Sequence, residues 1–322
     1  MTQPLLSVED LKVYYYTRSG IVKAVDRVRL ALKKGETLGV VGESGCGKST
    51  LGFSIMRLIP PPGRIAGGRI FFDGMDMTQI TDREMREIRG RRISMVFQDP
   101  MTSLDPLMKI GDHLVETLTV HEKISKDEAL SRAEALLDNL AIPAYRINDY
   151  PHQFSGGMRQ RVAIALALAL NPDIVIADEP TTALDVIVQA QILDLMKRLK
   201  KIYDMALILI SHDVSVVLEI ADKIAVMYGG QIMEYSNSVS IFEKTLHPYT
   251  QGLFQSIPNI LLSKQEITSI PGMPPDLIDP PQGCRFQPRC PYAMSKCREK
   301  EPPDIEADRG HLVKCFLYEA EG

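Results

Sequence analysis

The chain lacks a long apolar run, an excess of basic charge, and cysteine anywhere but one loop and its C-terminal part. The longest uninterrupted apolar stretch, 162–170, is nine residues, against the about 20 needed to span a bilayer. No segment is therefore expected to cross a membrane, and any spanning part has to come from other chains. The opening MTQPLLSVEDLKV has no basic stretch followed by an apolar one, so no secretory signal is expected. Thirty-seven basic residues against 41 acidic ones leave a net charge of -4. That balance argues against a general nucleic-acid binder, which needs a basic surface. Internal repeats are also missing. The plain expectation is a soluble cytoplasmic protein, with room in 322 residues for one large α/β domain and a smaller appendix.

Short apolar segments at 37–41 and 93–97 read as buried strands, and three more follow at 174–177, 206–210 and 224–227. Between the first two lie a phosphate-loop candidate, a helix, and a turn region rich in Pro and Gly at 60–68. From about Met108 to Leu170 the pattern is helical, with Leu130, Ala133, Leu137 and Leu140 three and four apart. The sum is a phosphate-loop α/β core interrupted by a helical insert. Beyond about residue 240 Pro and Cys become dense, and an appended region with little regular structure is expected there.

Gly42-Glu-Ser-Gly-Cys-Gly47-Lys48-Ser49 fits G-x-x-x-x-G-K-[ST] between a strand and an apolar helix. Its glycines let backbone N–H groups curl around a β-phosphate, the helix N-terminus adds its dipole, and Lys48 reaches the β- and γ-oxygens. The Ser49 hydroxyl would ligate Mg²⁺. A chance Gly-rich turn is the plain alternative, and the flanking elements speak against it. Cys46 reads as a small filler.

Further motifs follow in order. Phe154-Ser155-Gly156-Gly157-Met158 resembles the LSGGQ signature of ATP-binding-cassette (ABC) ATPases. Ile174-Val-Ile-Ala-Asp178-Glu179 resembles their Walker B strand, and Thr182-Ala-Leu-Asp185 their D-loop. Gln98 stands where the Q-loop glutamine belongs, His212 where the switch histidine does, and Tyr15 where an aromatic ring stacks on adenine. Singly, Asp178-Glu179 is a solvated strand end and His212 a core histidine; together and in order they mark the family over about residues 5–235. The resemblance implies an ABC-type α/β fold with an antiparallel β subdomain, an inserted helical subdomain (about 108–170) and a small irregular C-terminal extension (241–322).

It also implies roles. Gly42, Ser44, Gly45, Cys46, Gly47, Lys48, Ser49 and Thr50 would hold the phosphates of ATP, and Ser49, Gln98 and Asp178 would hold Mg²⁺. Glu179 would be the general base, with Gln98 and His212 at the γ-phosphate. Ser155, Gly156 and Gly157 would complete the ATP site of an opposing cassette. Phe154 and Met158 depart from the usual leucine and glutamine of the signature.

The tail narrows the branch. His247-Pro-Tyr-Thr250, Gly272-Met-Pro-Pro-Asp-Leu and Gly283-Cys-Arg-Phe-Gln-Pro-Arg-Cys290 resemble the extension of dipeptide/oligopeptide importer ATPases. So does the core stretch Phe97-Gln-Asp-Pro-Met-Thr-Ser-Leu-Asp-Pro106. The resemblance implies two membrane-spanning permease subunits, an extracytoplasmic binding protein, a second, non-identical ATPase forming a heterodimer, and a place at the cytoplasmic face of the membrane. Peptide is the expected cargo, with oligosaccharide or a nickel chelate as alternatives. A soluble ABC ATPase outside transport is the competing class, disfavoured because the chain has neither a coiled-coil insertion nor a second cassette. Cys284, Cys290, Cys297 and Cys315, spaced x5, x6 and x17, offer four soft ligands in a segment poor in core material. A [4Fe-4S] cluster is expected, with Zn²⁺ as the alternative and free thiols as the plain case. His311 could replace one ligand, although a surface position suits it better.

Overall fold

A computed structural model of the chain describes residues 3–256 and 270–319. The chain divides into two compact units, residues 1–78 with 210–322, and residues 79–209.

The first unit opens with β1 (Leu6–Thr17), β2 (Gly20–Leu32), β3 (Thr37–Val41), helix α1 (Lys48–Ile55), β4 (Gly63–Phe72) and β5 (Met75–Asp76). β2, β1, β4 and β5 form an antiparallel sheet in that order. Its register is dictated by apolar rows. Leu6 faces Leu32 and Phe72, Val8 faces Leu30 and Ile70, and Leu11 faces Val28. A register shift between Val8 and Leu11 keeps these residues on the buried face where strict alternation would turn them out. β4 begins inside the stretch expected as turn. Its three glycines weaken strand propensity, and pairing with β1 overrides that weakness.

The second unit holds α2 (Asp82–Ile88), β6 (Ile93–Val96), α3 (Ile110–His121), α4 (Lys126–Asn139), α5 (Gly156–Leu168), β7 (Ile174–Asp178), α6 (Val186–Tyr203) and the start of β8 (Ala206–Ser211). Its strand order is β8, β7, β6, and β6 and β7 are parallel. Both are buried along their whole length, as parallel strands covered on two faces require. All of these helices but α3 begin at side-chain caps. Thr81 and Glu84 form a reciprocal capping box, while Ser125, Ser155 and Asp185 cap α4, α5 and α6. Ala133, Leu137 and Leu140 are buried as expected, whereas Leu130 is exposed.

Back in the first unit lie α7 (Val214–Ile220), β9 (Lys223–Tyr228), β10 (Gln231–Asn237), α8 (Ser238–Glu243), α9 (Pro248–Gln255), α10 (Ser295–Glu299), β11 (Ile305–Asp308) and β12 (His311–Val313). β3 and β9 run parallel, β10 is antiparallel to β9, and the hairpin β11–β12 adds to β10. The tail thus carries two helices before residue 256 and completes a sheet edge, more regular structure than its sequence suggested. Among the described residues no helix is long and apolar enough to cross a membrane.

Candidate functional site

In the first unit, residues 42–47 link the buried strand β3 to α1, whose first residue is Lys48. Gly42 and Gly47 sit at φ 153° and 105°, and a Cβ on either would overlap a backbone carbonyl, of Met227 or Ala24 respectively. Only glycine allows this fold of the loop. Gly47 occupies the N-cap of α1 and offers no side-chain cap, so no capping side chain competes with an anion at the helix start. Lys48, 4% exposed, closes the loop by donating to the carbonyls of Gly42 (2.8 Å) and Glu43 (3.0 Å). Ser44 and Gly45 are exposed at its tip, and Ser49 and Thr50 are half-buried on α1. Cys46 is buried, and burial pushes its thiol pKa up. A reactive thiolate would need the opposite shift.

The three adjoining tyrosines have separate tasks. Tyr14 donates to Asp26, and Arg64 lies over the ring of Tyr16. Tyr15 reaches α1, its hydroxyl 3.4 Å from Thr50 Oγ1. His212 follows β8 and is exposed, directly before Asp213, which caps α7.

In the second unit, Asp178 ends β7 and is 2% exposed. Glu179 turns sharply out of the strand at φ 46°. Its Oε2 accepts hydrogen bonds from Gln98 Nε2 (3.1 Å) and from the Thr182 hydroxyl (2.8 Å). Ser155 caps α5 by accepting from the Met158 amide, so Gly156 and Gly157 form the first turn of a helix with its dipole pointing out of the signature. Asp185 caps α6 in the same way, through the Val188 amide.

Sequence reading assigned no task to Arg146. Its guanidinium lies 4.4 Å over the buried Phe154 ring, binds Asp149 at 2.7 Å and the Gln153 carbonyl at 3.0 Å, and touches Met158 Sδ. Both departures from the usual signature therefore face one cation, and a Phe paired downstream of an Arg was the available signal.

Cys284, Cys297 and Cys315 are buried and Cys290 half-buried, and the Cys284 amide donates to the Cys297 carbonyl. Yet among the described residues no group of three or more His, Cys, Asp or Glu side chains is placed to hold a metal ion. Burial pushes Cys284 up to about 12 and Cys315 up to about 11, which keeps them as thiols. His311 is not at the surface either: it is 2% exposed and sits 2.7 Å from Glu234.

Comparison with known proteins places this geometry. The ABC transporter family matches residues 25–182, and the oligopeptide/dipeptide transporter C-terminal region matches residues 233–297. The oligopeptide transport ATP-binding protein OppD of Bacillus subtilis is 52% identical over 97% of this chain and 88% of its own length. The dipeptide transport ATP-binding protein DppD of the same organism is 48% identical over 98% and 96%. Among solved structures, a dimeric bacterial ABC transporter cassette matches with a TM-score of 0.66 at 30% identity, over 72% of this chain and 98% of that one. The chain belongs to the ATPases of the ABC transporter family, in the branch marked by the oligopeptide/dipeptide transporter C-terminal region.

Proposed function

We propose that the chain is the ATP-hydrolysing motor of an importer of dipeptides or oligopeptides. The observation that carries this is one chain holding a Glu179 oriented by Gln98, a glycine-closed phosphate loop and the peptide-branch C-terminal region. In this reading Gly42 and residues 44–50, with the Lys48 ammonium, hold the phosphates, and Tyr15 stacks on adenine. The hard oxygens of Ser49, Asp178 and Gln98 suit Mg²⁺, which neutralises charge on the β- and γ-phosphates. Glu179 takes the proton of the attacking water, and His212 steadies the γ-phosphate. Ser155, Gly156 and Gly157 act on the ATP of a partner cassette, a second and different ATPase. Two permease subunits hold the pair at the cytoplasmic face of the membrane, and a binding protein delivers cargo from outside. The domain division falls at about residue 240.

The test is the ATPase rate of the complex from gently solubilised membranes, with added binding protein loaded with peptides, sugars or nickel chelates. Stimulation by peptides supports the proposal, and stimulation by another class alone changes the cargo. A chain found alone, with a rate indifferent to every load, overturns it.

For the tail cysteines a [4Fe-4S] cluster remains our proposal, with Zn²⁺ as alternative, on donor chemistry alone. Amides of Phe286, Tyr292 and Leu317, each two residues on, hydrogen-bond the sulfurs of Cys284, Cys290 and Cys315 and favour their thiolates. Binding would release protons from the thiols. Iron and acid-labile sulfide in anaerobically purified protein support the cluster; zinc alone, or no metal, rejects it.

A further inference from the structure

The phosphate loop contains a charge that phosphate binding disfavours. Glu43 stands second in it, and an uncompensated carboxylate beside a triphosphate repels it. The structure gives that carboxylate a partner from the tail. Arg289 grips it with both prongs, Nη1 2.7 Å from Oε2 and Nη2 2.9 Å from Oε1, the two-point geometry that fixes orientation as well as charge. The arginine side chain is 6% exposed and that of Glu43 24%, so solvent screens the pair only in part.

The grip is itself held. Arg289 Nε donates to the Pro271 carbonyl at 2.8 Å and Nη2 to the Ile270 carbonyl at 3.2 Å. Its guanidinium lies against the Tyr228 ring, which packs with Tyr249 and Phe286. Tyr249 makes a second link, its hydroxyl accepting from the Glu43 amide at 2.9 Å. Loop, Tyr249 and Arg289 all lie in the first compact unit. The backbone and the side chain of one loop residue are thus each held by a residue that follows Asn237, far along the chain from the loop.

We infer that Arg289 is a positioning residue for ATP binding. It cancels the Glu43 charge and fixes the carboxylate, so the loop accepts a triphosphate at full affinity only while the tail is seated. Arg289 immediately precedes Cys290, so displacement of that segment reaches the loop through one side chain. The inference rests on the loop being the phosphate site.

The test measures binding of a non-hydrolysable ATP analogue with Mg²⁺ to the full-length chain by calorimetric titration. Arg289→Met is expected to weaken binding about tenfold, because a partly buried carboxylate is left unpaired. Adding Glu43→Gln to that variant is expected to restore affinity to within about threefold of the natural chain, since the two effects share one pair. A brace that only kept the tail folded would give no such rescue. A double variant as weak as Arg289→Met, or an Arg289→Met chain that binds normally, overturns the inference. Should Arg289→Met fail to fold, Glu43→Gln alone decides. It leaves the Arg289 bonds to Pro271 and Ile270 in place and is expected to bind at least as tightly as the natural chain; weaker binding rejects the inference. Lys48→Ala is the separate control: normal binding there sinks the assignment of the loop itself, whatever Arg289 does.

Discussion

Gln98 holds Glu179 by a 3.1 Å hydrogen bond from Nε2 to Oε2, and the Thr182 hydroxyl holds the same oxygen at 2.8 Å. Two donors on one carboxylate oxygen fix the direction of the group. A general base contributes about 10²- to 10⁴-fold to rate, so Glu179→Gln is expected to lose turnover by that order while still binding MgATP. Phosphate release and nucleotide retention in the assembled complex check this together. Near-normal release would remove Glu179 from the role of base.

Glu234 is fully buried and serves three partners: the amides of Leu246 and His247, both at 2.9 Å, and His311 at 2.7 Å. It joins β10 to the start of α9 and to β12, all within the first unit. Glu234→Ala strands two backbone donors and a histidine in a dry site. The expected loss is about 3 to 5 kcal/mol, read as a lower urea midpoint of the chain. A loss under about 1 kcal/mol would mean that water replaces the carboxylate.

His247 is pushed from an ordinary 6.5 down to about 4 by burial, against the opposing pull of Glu234. Its Nδ1 accepts the Tyr249 amide as the cap of α9. A histidine depressed in the folded state binds its proton first when unfolded, so stability rises with pH across the gap. The contribution is complete above about pH 6.5 and is lost as pH falls towards 4. His247→Asn keeps a capping acceptor without a titrating ring, and the urea midpoint of that variant is expected to vary less between those limits. An unchanged pH slope would show that His247 does not carry it.

The parallel strands were legible because each is a short apolar run covered on both faces, as at 37–41 and 174–177. The antiparallel sheet was not legible residue by residue. β1 carries its buried face through a register shift at Val8 and Leu11, which breaks the period of two, and β4 has three glycines whose strand state comes from pairing. The motifs point to the proposed site because phosphate chemistry demands particular residues at particular spacings. Arg289 and Tyr249 were invisible for the converse reason. Their partner Glu43 lies 246 residues from Arg289, and no spacing rule links a tail arginine to a loop glutamate. His311 was misplaced at the surface because nothing in the sequence marks Glu234 as its buried partner.

Arg146 separates two things that a phosphate-loop variant would lose together. It touches none of the residues proposed to hold the chain's own nucleotide. It props Phe154 and Met158 around Ser155, through a cation over the Phe154 ring and bonds to Asp149 and Gln153. If the signature serves ATP on the opposing cassette, Arg146→Ala leaves MgATP binding by the lone chain unchanged. Hydrolysis by the assembled complex is expected to fall about tenfold, since the helix-start amides are displaced from a γ-phosphate they must meet at hydrogen-bond distance. Arg146→Lys keeps the charge but not the fork or the flat stacking surface, so it is expected to recover only part of the loss. The two measurements are a binding titration on the chain and a phosphate-release assay on the complex. Equal losses in both would mean that Arg146 supports the fold of the whole unit, and that the signature's geometry does not depend on it.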